Sequence, residues 1–333
     1  MIFRKIALLL LAVVISVLFL SACGLATSPT AVSTPAQTAA VTEAIPSATP
    51  AVPSIQMTDG LSRTISLQGP AQRVVSLAPS NTEILFAVGA GVQVVSRDEF
   101  SDYPPEAASL PSIGGSMGKY NTEEIVNLKP DLVLASELNT AEQVKSLEDL
   151  GLTVFYLKNP NDLEEMYSNL QTVAQLTGHT QETATLIESL MKRVAAVTEK
   201  VGALPEDQKP LVFYEIDSSD PNAPYTSGPG TFIDYLIKEA GGKNAGDALG
   251  APYGQLSLEQ LLVENPDIIL LGDYTWGGVK PEDVAKRAGW DKLKAVKDGK
   301  VFTFDDNLVS RPGPRNVDGL EALAKLLHPD LFK

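Results

Sequence analysis

Cysteine occurs once in the 333 residues, at Cys23, and histidine twice, at His179 and His328. A single thiol excludes an intrachain disulfide and a cysteine-cluster metal site, and two imidazoles exclude a poly-histidine zinc centre. Positive charge is scarce as well: 26 Lys and Arg stand against 41 Asp and Glu, a formal net charge of −15. No basic face of useful size can be assembled, so nucleic acid is excluded as an expected partner. Catalytic signatures are also missing. Gly114-Gly115-Ser116-Met117-Gly118-Lys119-Tyr120 has glycine spacing one short of a phosphate loop, with Tyr120 where a Ser or Thr would hold magnesium. Gly89-Ala90-Gly91 lacks the third glycine of a dinucleotide fingerprint, and no G-x-S-x-G elbow occurs. What remains is a chain that is 44% hydrophobic and long enough for roughly two domains, each with a sizeable core.

The N-terminus is organised differently from the rest. Arg4 and Lys5 precede an apolar run, Ile6 to Leu20, interrupted only by Ser16. That run falls short of the ~20 residues of a spanning helix and suits the core of a signal peptide. Leu20-Ser21-Ala22-Cys23 follows, and it resembles the lipobox of bacterial lipoproteins. The resemblance implies cleavage after residue 22 and lipidation of Cys23, with two acyl chains giving firm anchorage. The mature chain would then carry 24 basic against 41 acidic residues, a net charge of −17. Residues 23–54 are rich in Ala, Thr, Ser and Pro, with Glu43 as the only charge, and read as a disordered tether from a membrane.

The folded body starts near Ile55. Short strands at 55–57 and 64–67 flank Asp59-Gly60, a hairpin signal. Strands and helices then alternate: strand 73–78, helix 82–88, strand 92–95, helix 122–128, strand 132–135, helix 141–150 and strand 153–157. Such order predicts a parallel sheet covered on both faces. Residues 161–203 carry a helical pattern broken only at Thr177-Gly178. Its second part places Ile187, Leu190, Met191, Val194, Val197 and Val201 on one stripe, long enough to bridge two lobes. Alternation resumes with strand 211–216, helix 231–240, helix 258–263, strand 268–271, helix 281–286, strand 300–304 and helix 317–327. His179, at a helix start, and His328, in the terminal tail, are expected at the surface.

One segment is echoed. Residues 121–136, NTEEIVNLKPDLVLAS, and 257–272, SLEQLLVENPDIILLG, align at a constant offset, pairing Glu123 with Glu259, Pro130 with Pro266 and Asp131 with Asp267. Each copy reads as helix, Pro-Asp stop, buried strand. Two distant copies predict two similar lobes: 55–178, then a bridging helix over 179–204, then 205–333. Ligands of open α/β sheets bind outside the carboxyl ends of strands. In the first lobe that edge carries Ala78-Pro79-Ser80-Asn81-Thr82-Glu83, read as a helix start with Ser80 and Glu83 as a capping box.

Residues 73–110, with SLAPSNTEILFAVGAG and SDYPPEA, resemble the class III solute-binding proteins of ABC importers, which take up cobalamin, ferric siderophores and haem, and most of all the cobalamin binders. The likeness continues through 121–134, Tyr225-Thr226-Ser227-Gly228 and Arg311-Pro312-Gly313-Pro314-Arg315, and so covers about 55–333. It implies an α/β fold of two doubly wound lobes, each with a mainly parallel sheet, joined by one long helix, with ligand in the cleft between them. It also implies a monomeric binding protein without enzymatic activity, metal or resident cofactor, handing its ligand to an ABC permease dimer and its ATPase subunits. Glu123 and Glu259 match the acidic residues that dock the two lobes onto permease arginines.

By position, the cleft is expected to hold Ser80, Asn81, Phe100, Met117, Tyr120, Tyr225, Thr226, Tyr253, Asn307 and Arg311. Tyr225 and Thr226 fall in a strand–helix loop and Tyr253 in a loop between Pro252 and Gly254. Met117 replaces a tryptophan of some members. Aromatic walls and neutral hydrogen-bonding groups suit a corrin, with its flat apolar faces and amide rim. A ferric siderophore would call instead on Arg97, Lys119 and Arg311, and haem on Met117 or Tyr120 as axial ligand. An enzyme on the same scaffold is the reading of another class, and the missing nucleophile and base argue against it.

Overall fold

The computed structural model describes residues 54–333; the signal-peptide and tether segments, Cys23 included, lie outside the described residues. Strands β1 (Ile55–Thr58) and β2 (Thr64–Leu67) pair antiparallel. Asp59 fixes their turn: its buried carboxylate accepts from Leu61 N–H at 3.0 Å and Arg63 N–H at 2.9 Å and pairs with the Arg63 guanidinium.

The first sheet is wholly parallel. It contains β3 (Val74–Ser76), β4 (Val94–Arg97), β5 (Leu132–Ser136) and β6 (Val154–Leu157), in the order β4-β3-β5-β6. β5 is buried along its whole length. Leu132 and Leu134 enter one hydrophobic cluster while Val133 and Ala135 enter another. Since successive side chains point to opposite faces, the sheet is covered on both.

The second sheet repeats the plan with an addition. Its strands are β7 (Leu211–Asp217), β8 (Tyr225–Ser227), β9 (Lys243–Asn244), β10 (Tyr253–Gln255), β11 (Ile268–Leu271) and β12 (Val301–Thr303), in the order β10-β8-β7-β11-β12 with β9 also paired to β7. β7, β9, β11 and β12 are parallel; β8 and β10 are antiparallel. Phe213, Ile269 and Leu271 face one cluster, and Val212, Tyr214, Ile268 and Leu270 the other. The chain is thus an α/β protein with two doubly wound sheets.

Between the sheets run two helices, Leu163–Thr177 and Thr180–Val201. Gly178 separates them in the left-handed conformation, φ 87°, which only glycine adopts without strain. The second helix has 22 residues, about 33 Å of rise. It packs on Leu163–Thr177 and on the last helix, Asn316–Leu327, burying Thr183, Ile187, Leu190, Val197 and Val201. Met191 departs from the expected stripe and is largely exposed, since four to three spacing carries it off the contact line.

The echoed segments occupy matching places. Each helix, Thr122–Asn127 and Leu258–Glu264, leads into the strand lying beside the first strand of its sheet. Asp131 accepts from the N–H groups of Gln72 and Arg73, just before β3, and Asp267 accepts from Leu211 N–H at the start of β7. The Pro-Asp turn therefore does one job twice, satisfying backbone donors at a strand entrance.

Three local expectations are corrected. The first helix is Pro79–Ala87, with Ala78 at the N-cap and no side-chain cap, so Ser80 and Glu83 form no capping box. Pro79 has a preset φ and no N–H to satisfy, which lets the helix begin ahead of Ser80. His328 is buried rather than exposed, with Nε2 3.1 Å from Gly241 O, because the tail folds back over that turn. Tyr225, Thr226 and Tyr253 lie in strands, since the connection after β7 doubles back as an antiparallel hairpin-like edge.

Candidate functional site

The carboxyl ends of both sheets face two adjoining hollows. One, of about 350 Å³, is walled by Glu137, Lys158, Asn159 and Pro160 from the first lobe and by Ile216, Tyr225, Phe232, Tyr253, Asp306 and Pro312 from the second. The other, of about 410 Å³, is walled by Leu77, Pro79, Asp98, Phe100, Tyr120 and Leu138 from the first lobe and Arg311 from the second. Neighbouring residues, Glu137 with Leu138 and Arg311 with Pro312, line one hollow each, so the two adjoin.

The second lobe supplies a pair of parallel tyrosine rings. β8 and β10 pair with Tyr253 opposite Ser227 and Gln255 opposite Tyr225. The rings of Tyr225 and Tyr253 lie parallel, 1° apart in plane, with centroids 6.5 Å apart. Both are substantially exposed. Burial, then the neighbouring Tyr225, pushes the Tyr253 phenol above its usual range, so it is neutral at physiological pH. Across the cleft, Phe100 and Leu138 are exposed by 54% and 66%, apolar surface that a lone chain pays to keep wet.

Tyr120 is differently employed. Its hydroxyl donates to Leu77 O at 3.0 Å and accepts from Asn139 Nδ2 at 2.8 Å. Only its ring is left for a ligand. Asn81 is buried and spends its amide on Leu134 O and Ala135 O, each at 3.0 Å, bracing the end of β5. Thr226 is buried beneath Tyr225 and donates to Tyr214 O at 2.6 Å. Ser80 is buried in the first helix. Asn307 begins the short helix Asn307–Ser310, half-buried, and its N–H donates to Asp305 Oδ1 at 3.1 Å. Phe100, Tyr120, Tyr225, Tyr253 and Arg311 thus line the hollows, whereas Ser80, Asn81, Thr226 and Asn307 stand behind or beside them. Met117 lies in the Ser116–Gly118 turn, and its side chain lies outside the described residues.

The charges are compensated. Arg311 Nη1 lies 2.5 Å from Asp102 Oδ1 and 3.4 Å from Glu83 Oε1. Arg315 grips Glu83 with two donors and lies 4.1 Å above the Tyr103 ring. Burial opposes ionisation of Asp102, but the Arg311 guanidinium outweighs it and holds that carboxyl below its usual range. Arg97 gives its guanidinium to the carbonyls of Ala107, Asp98 and Ala108. Asp98 is buried, and burial raises its pKa despite hydrogen bonds from Ser101 and Phe100 N–H. Beneath the second-lobe wall, Tyr214 donates to Asp306 at 2.7 Å, and Arg287 makes a two-point pair with the fully buried Glu215. Sequence reading missed Asp102, Glu137, Lys158 and Asp306 as cleft or cleft-backing groups, and placed Glu83 at the cleft edge only as a capping partner. Asp102 lay within the SDYPPEA stretch, but its partner is more than two hundred residues away.

Two α/β lobes with a cleft at their strand ends, joined by a long helix, have the architecture of a substrate-binding protein. The chain belongs to the Periplasmic binding protein family, whose pattern it matches over residues 74–308. It is 34% identical over 283 residues to an uncharacterized ABC transporter substrate-binding lipoprotein, YvrC of Bacillus subtilis, covering 84% of this chain and 87% of that one. Among solved structures it resembles a possible iron-binding periplasmic solute-binding protein of Staphylococcus epidermidis, at 31% identity, TM-score 0.67 and coverage of 78% and 99%. It also resembles the periplasmic vitamin B12 binding protein BtuF of Vibrio cholerae, at 28% identity, TM-score 0.67 and coverage of 78% and 98%. This is a substrate-binding protein of an ABC transporter, of an extracytoplasmic and non-enzymatic family, with a permease as partner and a small molecule as cargo. No helix among the described residues is long and apolar enough to cross a membrane.

Proposed function

We propose that the protein captures cobalamin or a related corrinoid in the inter-lobe cleft and delivers it to an ABC permease. The observation carrying this reading is the parallel Tyr225–Tyr253 wall in a cleft whose arginine is already neutralised. Lining acids Glu137, Asp98 and Asp306 outnumber Lys158 and Arg311, which disfavours an anionic ferric catecholate. Axial ligation of haem by Tyr120 is disfavoured because its hydroxyl is hydrogen-bonded twice within the protein. A corrin ring wants flat apolar contact and neutral hydrogen-bonding groups at its rim. Phe100, Leu138 and the Tyr120 ring would take one face, Tyr225 and Tyr253 the other, and the Arg311 stem the edge.

Delivery would use Glu123 and Glu259. Both are exposed, each in the first turn of its helix, at equivalent places in the two lobes. Two such carboxylates suit arginines on a two-fold permease. Cleavage before Cys23, its lipidation and the tether of residues 24–54 would hold a monomeric receptor at the outer face of a membrane.

Calorimetric titration of the purified protein tests the reading. Cyanocobalamin should bind one to one at about micromolar or tighter, roughly −8 kcal/mol. Tight binding of a ferric catecholate or haem with none of cyanocobalamin would overturn it.

A further inference from the structure

Among the described residues, Arg311 is the one cationic side chain walling the Phe100–Tyr120 hollow, and the chain's own Asp102 already sits on it. The two belong to opposite lobes and meet at 2.5 Å. Their exposures differ: the Arg311 side chain is 16% exposed and the Asp102 side chain 66%. The arginine is therefore fixed in the wall, held from behind by Glu83, while the carboxylate reaches it from the solvent side. An arginine placed this way at a ligand cavity is an anion seat, since its planar fork matches carboxylates and related oxyanions.

We propose that Asp102 is a specificity-determining residue, an intramolecular carboxylate that fills the anion seat of Arg311 and so closes the cleft to anionic ligands. The inference rests on the reading of the cleft as a site for an uncharged ligand. Around the seat, Glu83 and Asp102 balance Arg311 and Arg315, and Glu83 is already taken by two donors of Arg315. An incoming anion must displace Asp102 and then lie beside it and beside buried Asp98. A neutral ligand pays neither cost. Without the Asp102 carboxylate, the same four-residue group carries one net positive charge.

The test uses the full protein, with iron(III) tris-catecholate as the anionic probe and cyanocobalamin in parallel. Asp102→Ala removes charge and acceptor at an exposed position, so folding is preserved, and a melting curve checks this. Catecholate affinity should rise about tenfold, the equivalent of ~1.4 kcal/mol. Added salt should shrink the gain. Cyanocobalamin affinity should stay within about twofold. In the Asp102→Ala/Arg311→Gln double variant the gain should vanish. No gain in Asp102→Ala, or a gain that survives Arg311→Gln, overturns the assignment. Cyanocobalamin reports separately: if it binds no variant, the corrinoid reading fails while the Asp102 comparison still stands.

Discussion

Glu83, on the first helix of one lobe, and Arg315, before the last helix of the other, form a two-point ion pair, Nε to Oε2 at 2.7 Å and Nη2 to Oε1 at 2.5 Å. Glu83 is almost fully buried, and Arg315 is capped by the Tyr103 ring. The lobes are thus tied by buried charge as well as by the long helix. Removing one partner leaves the other charged and desolvated. Arg315→Ala should cost about 3 kcal/mol of unfolding free energy in denaturant melts, more than a surface change would. With both ties intact, X-ray scattering should show no change in radius of gyration on ligand binding.

The second-lobe floor should make stability pH-dependent. Burial, opposed by Arg287 and reinforced by Asp273, pushes the Glu215 carboxyl from its ordinary 4.5 up to about 7. An acid whose pKa is raised by folding stabilises most when protonated. Its contribution is full below ~4.5 and is lost as pH rises through about 7. Asp273, buried with one unpartnered oxygen, is raised by burial as well. Asp273→Asn replaces that second acid with a neutral amide. The unfolding free energy of the variant relative to wild type should therefore increase from about pH 5 to about pH 8.

Tyr253→Ala should weaken cyanocobalamin binding by about tenfold or more in calorimetry. The melting temperature should hardly move, because the ring is half exposed and supports little core. A Phe at this position should restore most of the affinity.

Gly228 sets the distance between β8 and the segment bearing Tyr253. A Cβ there would lie 2.2 Å from Ala251 O, and Gly228 N–H donates to Pro252 O at 2.7 Å. Gly228→Ala must push Ala251–Tyr253 away. It should lower both the melting temperature and ligand affinity, unlike Tyr253→Ala, which should lower affinity alone.

Reversing Glu123 and Glu259 to Arg should abolish ligand-dependent stimulation of the permease's ATPase while leaving cyanocobalamin affinity unchanged. Loss of affinity would place these carboxylates in the cleft instead.

Much of the secondary structure was legible in the sequence because it rests on local chemistry. The β1–β2 turn follows from Asp59-Gly60, the helix break from Gly178, and the echoed strand entrances from Pro-Asp. The misreadings are long-range. Ser80 and Glu83 carry a capping signature, but Pro79 starts the helix earlier and two distant arginines claim Glu83. Tyr225 and Tyr253 look like loop residues because their strands are three residues long, too short for alternation to show.

Composition and patterning determined the α/β class and the helix between the sheets, and the resemblance to class III binding proteins supplied the candidate cleft residues. The class and the helix depend on periodicity and on turn residues, which act over a few positions. Tertiary structure alone decided which of those residues face the cleft and with what charge. Asn81 and Thr226 are spent on neighbouring carbonyls, Tyr225 and Tyr253 are brought into parallel, and Arg311 is neutralised by Asp102. Burial and ion pairing are properties of space rather than sequence distance.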